Sequence, residues 1–497
     1  MIRKRTAVPV WLLRLGVVAA VLAVLPTGCT DPLNVTDPDI VTPDNLNDKA
    51  ALPTIRAAAI GDFTLAYSGS GASGSGGVEG VIMTSGLLGD ELVNSETFPT
   101  RIEVDARAIQ VSNATMQDIF RNLSRARRSA EFAASRYRTL APDTTKETGF
   151  PEALALAGFT YVFFAENYCS GVPFSTVNDD GTLSFGPPLT AAQILDTAVA
   201  RFNAALNAAN ALPASNTKTQ LISLARVGKA RALVDKDTAQ FAIADTVVAS
   251  VATGFSYLVQ HDENTTRQNN GVFVADVIAR RYAVADREGN YTPGATVPDT
   301  GAGPGLAWRK VKDLRTPFER VGTRKGFDGI TPQWDQLRYG DRKASVTVAT
   351  GVEARLIQAE AALRRGDTTG NASGFLTRLN DPRTGPPSYF NTNRLTVPSP
   401  FVLALPSLGA LTTDSTAAAG GAVNLLFNER ARWLWLTAHR LSDMRRLLRQ
   451  YGRSVNSVFP NGTYFKQNRI YGPDVNFPVP VDELNNPNFV QCIDRLP

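Results

Sequence analysis

Histidine is scarce: the 497 residues hold only His261 and His439, far apart in the chain, which excludes a metal centre built on several imidazoles. Three catalytic patterns are missing as well. There is no H-E-x-x-H, no G-x-S-x-G and no G-x-x-x-x-G-K-[ST], so the helix-borne zinc protease, the nucleophile-elbow hydrolase and the phosphate-loop nucleotidase have no foothold. On these grounds neither a metal nor a cofactor is expected. A strong excess of one charge is also lacking. The formal charge of +5 includes Arg3, Lys4, Arg5 and Arg14, so the sequence beyond residue 28 carries +1. That offers no basic footprint for a phosphate backbone, and no nucleic-acid partner is expected. Long apolar runs are few, and the one that stands out, Leu15 to Leu25, is eleven residues. A spanning helix needs about 20.

That run has a different meaning. Four cations precede it, and Pro26-Thr27-Gly28-Cys29 follows, which is the layout of a secretory signal peptide with small residues before a cysteine. The junction resembles a lipobox, although Leu25 stands four positions before the cysteine and Pro26 stands where leucine is usual. The expectation is that residues 1–28 are removed and that Cys29 is acylated, palmitate among its chains. Several acyl chains would hold the protein at a membrane surface without crossing it. Residues 29–45, rich in proline, Asp and Asn, read as an extended tether, and residues 46–497 as the folded domain. Cysteine is otherwise limited to Cys169 and Cys492. An exported, oxidising location permits them to pair, and two separately buried thiols are the alternative.

What is abundant is helical periodicity. Met116, Ile119, Phe120, Leu123, Ala130 and Tyr137 form one apolar stripe, and Leu195, Val199, Phe202, Leu206 and Ala209 form another. Leu221 to Val234 puts Ala225, Gly228 and Ala232 on one face, and Leu356, Ala359 and Leu363 repeat the idea before Gly366, a natural helix stop. With Glu152 to Tyr168, these segments predict antiparallel helix pairs of the tetratricopeptide kind, without a clean 34-residue period; a generic bundle is the alternative. Long irregular stretches are expected at Ser68–Gly77, Asn290–Gly305 and Asp381–Gly421, and the clearest strand at Ser345–Thr350. The predicted fold is predominantly α, tetratricopeptide-like, with long irregular loops and a few short strands.

The segment Leu425 to Leu447 (LLFNERARWLWLTAHRLSDMRRL) resembles the late helix of the SusD/RagB family, matching at Glu429, Arg430, Arg432, His439, Arg440, Asp443, Arg445 and Arg446. Trp433 and Thr437 stand where that family commonly has Glu. Pro478 to Asn488 is similar to the family's terminal element, Glu152 to Pro173 to its first repeat helix, Gly89-Asp90-Glu91 to its early Asp-Glu element, and Ala354 to Ala362 to its Arg…Ala-Glu-Ala helix. Read from the residues alone, Glu429, Arg432, Leu436, Arg440 and Asp443 fall at steps of three or four. On one helix they would share a face and pair with one another or with neighbouring helices. That role is structural, and His439 is expected to be a packing histidine.

The resemblance implies a non-catalytic, lipid-anchored outer-membrane protein on the extracellular side. It would capture a nutrient, by default an oligosaccharide, for a TonB-dependent transporter of the SusC type. Flat apolar rings would serve such capture, and Trp308, Trp334, Tyr339 and Tyr67 lie in or near loop-like stretches. No ligand-binding residue carries over from the family, so the ligand positions are left unknown. Three other functions are consistent with the sequence: a helical-repeat scaffold that binds only proteins, an exported glycoside hydrolase using two carboxylates, and a free periplasmic binding protein.

Overall fold

The computed structural model describes residues 46–71, 79–178, 181–292, 301–368, 374–384, 408–467 and 469–495. Cys29, the signal segment and the proposed tether lie outside the described residues. The chain divides into a segment Met1–Asp48 and a compact unit Lys49–Pro497, which holds the elements that follow.

The stack is built from α1 (Leu52–Ser68), α4 (Ala114–Leu140), α5 (Gly149–Asn167), α6 (Ala191–Ala211), α7 (Asn216–Lys236), α8 (Phe241–Val248), α9 (Gly351–Arg364) and α10 (Phe375–Thr384), with short helices α2 (Val81–Leu88) and α3 (Pro99–Asp105) after α1. Each member packs on the next: α1 on α4, α4 on α5, and so on to α9 on α10. This is the tetratricopeptide-like arrangement that the periodicity predicts. The starts of the helices are set by local side chains. Asn113 accepts from the Met116 amide, Ser215 from Lys218 and Thr350 from Glu353, while Thr190 and Gln193 form a capping box.

At the centre, α5 is buried on every side from Pro151 to Asn167, which explains its nearly continuous apolar sequence. Gly158 on α5 and Gly228 on α7 both face the ring of Phe202 on α6. A Cβ on Gly158 would stand 2.8 Å from that ring, and one on Gly228 would stand as close to Phe159. The small residues read from the sequence therefore do admit a neighbour, and that neighbour is an aromatic ring.

Short strand pairs and long loops connect the helices. β1 (Leu92–Asn94) pairs antiparallel with β3 (Tyr282–Val284), and β2 (Ser256–Val259) with β4 (Val346–Thr350), the strand predicted at Ser345–Thr350. The stretch Asp381–Gly421, expected to be irregular, begins inside α10 and contains a short helix at Thr413–Ala418. Cys169 and Cys492 are joined as a disulfide with their Cα atoms 5.9 Å apart, so of the two possibilities the pairing holds. The bond fastens the C-terminal arm to the end of α5. Backbone bonds from Cys169 to Phe477 at 2.9 Å and from Ile493 to Ser170 at 2.8 Å run beside it.

The segment resembling a single late helix is two helices, α11 (Ala422–Trp433) and α12 (Arg440–Tyr451). Between them Leu436 and Ala438 adopt left-handed backbone angles, φ 52° and 59°, which no helix interior accommodates. The reason lies in what the turn binds. The Leu436 amide donates to Glu91 at 2.8 Å, while the Leu436 and Thr437 carbonyls accept from the hydroxyls of Tyr339 at 2.9 Å and Tyr67 at 3.0 Å.

Candidate functional site

The residues matched to the late helix form a buried ionic lattice. Arg440 grips Asp90 with two bonds of 2.6 and 2.7 Å, and Arg430 holds Asp443 at 2.9 and 3.0 Å. Arg446 joins Asp443, Glu360 and Asp235, Arg315 meets Glu429 at 2.7 Å, and Arg445 donates to the Ala165 and Glu166 carbonyls at the end of α5. Arg432 lies 3.2 Å from Asp313, and buried His439 lies 3.1 Å from Glu353. A partnered lattice of this kind fixes how elements meet. The structural role expected of these residues is what the geometry shows: Arg446 and Asp443 pair along α12, and the other pairs reach neighbouring elements.

Asp90 and Glu91 are both fully buried. Asp90 also accepts from the Leu306 amide at 2.7 Å, and burial pushes the Glu91 carboxyl up to about 8. Neither can face a glycosidic bond.

Three of the four aromatic candidates are core residues. Tyr67, Trp308 and Tyr339 are buried. Tyr67 stacks on Phe163 at 5.0 Å, and the Trp308 indole packs on Trp435 while its Nε1 donates to the Asp90 carbonyl at 2.5 Å. They cannot offer a face to a ligand. Trp334 is half-buried, with the guanidinium carbons of Arg309 and Arg320 4.5 and 5.6 Å from its ring.

The exposed rings are elsewhere. Strand β1 runs into Ser95-Glu96-Thr97-Phe98 before Pro99 opens α3. A turn at Gly326-Phe327-Asp328-Gly329 lies against it, held by the Asp328 amide on the Ser95 carbonyl at 3.1 Å and the Phe327 amide on the Arg280 carbonyl at 2.8 Å. Gly326 is needed there because a Cβ would strike Ser95. Phe98 and Phe327, 41% and 49% exposed, both lie against buried Arg281, whose guanidinium carbon is 4.9 and 4.3 Å from their ring centres, and the Arg101 guanidinium lies 5.3 Å from Phe98. Arg281 and Arg101 in turn both pair with Glu96.

Beside the rings is a cavity of about 250 Å³ lined by Thr97, Ile102, Ile330, Phe465, Lys466 and Gln467, with Glu96 and Asp328 at its polar wall. The Lys466 ammonium donates to Asn94 at 2.7 Å, to the Glu96 carbonyl at 2.8 Å, and lies 2.9 Å from Asp328. Burial lowers the Lys466 ammonium against the pull of Asp328, while at Asp328 burial is outweighed only by Lys466, the Thr331 hydroxyl and the Ile330 amide together, which hold the carboxyl below its usual value. Gln467 and Arg280 carry left-handed angles, φ 57° and 55°. Such conformations persist where the surroundings impose them, often at ligand clamps. Apolar rings beside fixed polar groups suit a ligand with alternating apolar and hydroxylated faces.

Sequence reasoning missed Phe98 and Phe327. The signal available was modest: an aromatic directly before a proline that starts a helix, and another between glycines in a turn.

Two larger hollows, about 560 Å³ beside α1 and about 570 Å³ beside α10, have no Phe, Tyr or Trp in their lining. Among the described residues no group of His, Cys, Asp and Glu could hold a metal ion, and no helix is long and apolar enough to cross a membrane.

No family model matches the sequence, and no curated protein is similar to it. Solved structures do match in fold. The surface glycan-binding protein A of Bacteroides uniformis aligns over 89% of this chain and 99% of its own, with TM-score 0.59 and 13% identity. A SusD superfamily protein of Bacteroides vulgatus aligns over 90% and 99%, with TM-score 0.55 and 14% identity. A laminarin-binding SusD-like protein aligns over 90% and 99%, with TM-score 0.54 and 12% identity. The chain thus has the SusD fold, in agreement with the resemblance read from its motifs.

Proposed function

We propose that this chain, built on the SusD fold, is a non-catalytic, lipid-anchored carbohydrate-binding protein of the cell surface. It holds an oligosaccharide against Phe98 and Phe327 and delivers it to a TonB-dependent transporter of the SusC type. The observation that carries the reading is the ring pair: two partly exposed phenyl rings packed on a buried arginine beside a cavity with fixed polar groups. Rings held in advance lose little freedom on binding, which is how a lid obtains affinity without chemistry. The names of the structural neighbours, which include glycan-binding proteins, support the ligand class.

A transporter partner is supported by a second exposed apolar surface. Val177, Leu183 and Phe185 on a hairpin lie near Leu484, Val490 and Ile493 on the C-terminal arm, and Asn486 and Asn488 bond the arm to the Gly186 and Phe185 carbonyls at 3.0 Å. Apolar patches of this kind mark protein contacts. Anchoring through Cys29 completes the reading.

Affinity electrophoresis against a panel of plant and microbial glycans tests the ligand. At least one polymer should retard the protein, and Phe98→Ala or Phe327→Ala should weaken that binding by roughly 1–3 kcal/mol, the range for loss of a buried apolar face. Binding that ignores both changes would place the ligand elsewhere. Detergent extraction followed by mass spectrometry should recover an acylated Cys29 peptide together with the transporter.

A further inference from the structure

We propose that the glycan held by Phe98 and Phe327 is anionic, a polysaccharide bearing carboxylate or sulfate groups. The proposal rests on the glycan-binding reading above and concerns the charge around that same site.

The negative groups at the cavity wall are already neutralised. Glu96 is paired with both Arg101 and Arg281. Asp328 is taken by Lys466 at 2.9 Å, the Thr331 hydroxyl at 2.6 Å and the Ile330 amide at 2.9 Å. Behind them Asp335 pairs with Arg324 at 2.5 Å. The exposed acid in the neighbourhood, Glu319, lies across a strand pair from Asp335 and does not line the cavity.

The cations around the rings are not neutralised. Arg280, Lys325 and Arg469 make no ion pair among the described residues. The carbonyl of Arg280 anchors the Phe327 amide, and its guanidinium donates only to the Lys325 carbonyl at 3.4 Å. Lys325 is exposed, two residues before Phe327, and bridged to Pro332. Arg469 is exposed beside Lys466 and Gln467, its amide donating to the Lys466 carbonyl at 3.3 Å. Three positive groups without counter-ions, around a wall whose carboxylates are all paired, give the site a positive field. A uronic acid or sulfated sugar fits both parts. Its apolar ring face lies on a phenyl ring while the charged substituent, at the ring edge, reaches the cations.

The test is affinity electrophoresis and titration calorimetry of the detergent-purified full chain against polygalacturonate and chondroitin sulfate, with neutral pullulan and xyloglucan beside them. The first two separate carboxylate from sulfate recognition. Expected is binding of at least one acidic polymer that weakens as salt rises from 20 to about 300 mM, since exposed charges are screened over about 10 Å at 0.1 M. Lys325→Gln and Arg469→Gln, both exposed positions that should leave the unfolding midpoint unchanged, should each weaken it about two- to fivefold. Tight, salt-independent binding of a neutral polymer, lost in Phe98→Ala and unaffected by the two charge changes, overturns the anionic assignment and leaves the glycan reading intact. Failure of every polymer overturns both.

Discussion

Glu91 shows how far burial overrides ordinary side-chain chemistry. Its carboxyl, with one oxygen on the Leu436 amide and the other without a partner, holds its proton to about 8. In the unfolded chain the same group ionises near 4.5. Between these values the native state binds more protons than the unfolded state, so stability falls as pH rises, by at most about 1.4 kcal/mol per pH unit. Asp105, raised to about 6 by burial, adds to the fall over a lower window. Thermal unfolding should therefore show a lower midpoint at pH 8.5 than at pH 6. Glu91→Gln should remove much of that difference, and an unchanged pH profile in the variant would mean that Glu91 is ionised throughout. The sequence showed the Asp-Glu pair and correctly gave the arginines a structural role. It could not show that Asp90 meets Arg440 350 residues away, because nothing local marks which arginine an acid will find.

Helices were legible where one face is apolar and the other is not. The stripe on α4 and the small residues of α7 fall in helices with the buried faces predicted, and on α6 Leu195, Phe202 and Ala209 are buried while Val199 and Leu206 are half-buried. The break between α11 and α12 was not legible, because Trp433 to Ala438 is apolar apart from Thr437 and free of Gly and Pro, so no turn residue announces it. The break is imposed from outside, by Glu91, Tyr67 and Tyr339 bonding the turn's backbone. Two substitutions separate these cases. Ala438→Gly, at φ 59°, should leave stability unchanged or raise it, because glycine removes the left-handed strain that offsets the lost methyl. The same change at Ala431 inside α11 should cost about 1 kcal/mol or more. Equal losses at both positions, measured by urea unfolding, would mean that the turn carries no strain.

Over the whole molecule, the candidates Trp308 and Tyr339 failed for one reason. Composition marks the stretches around Trp308 and Tyr339 as irregular, but irregular chain here is not surface chain: these loops fold over the ionic lattice and bury their large rings within it. The exposed rings come from short turns pinned to β1, where burial depends on contacts between segments about 230 residues apart. The disulfide belongs to this scale too, since it closes a separation of 323 residues. Cys492→Ser should lower stability by about 2–4 kcal/mol. It should also expose the last twenty residues to protease before the stack unfolds. Simultaneous loss of both would show that the arm is not held independently.

That same bond makes the yield of folded protein depend on the redox state of the medium in which the chain folds. The arm it secures carries Leu484, Val490 and Ile493 in the open. Without the bond, three greasy side chains would swing on a loose tail beside a hairpin equally greasy. Folding in a reducing medium would yield a sticky, clump-prone species, whereas an oxidising one would close the bond and finish the molecule before its neighbours could adhere to it.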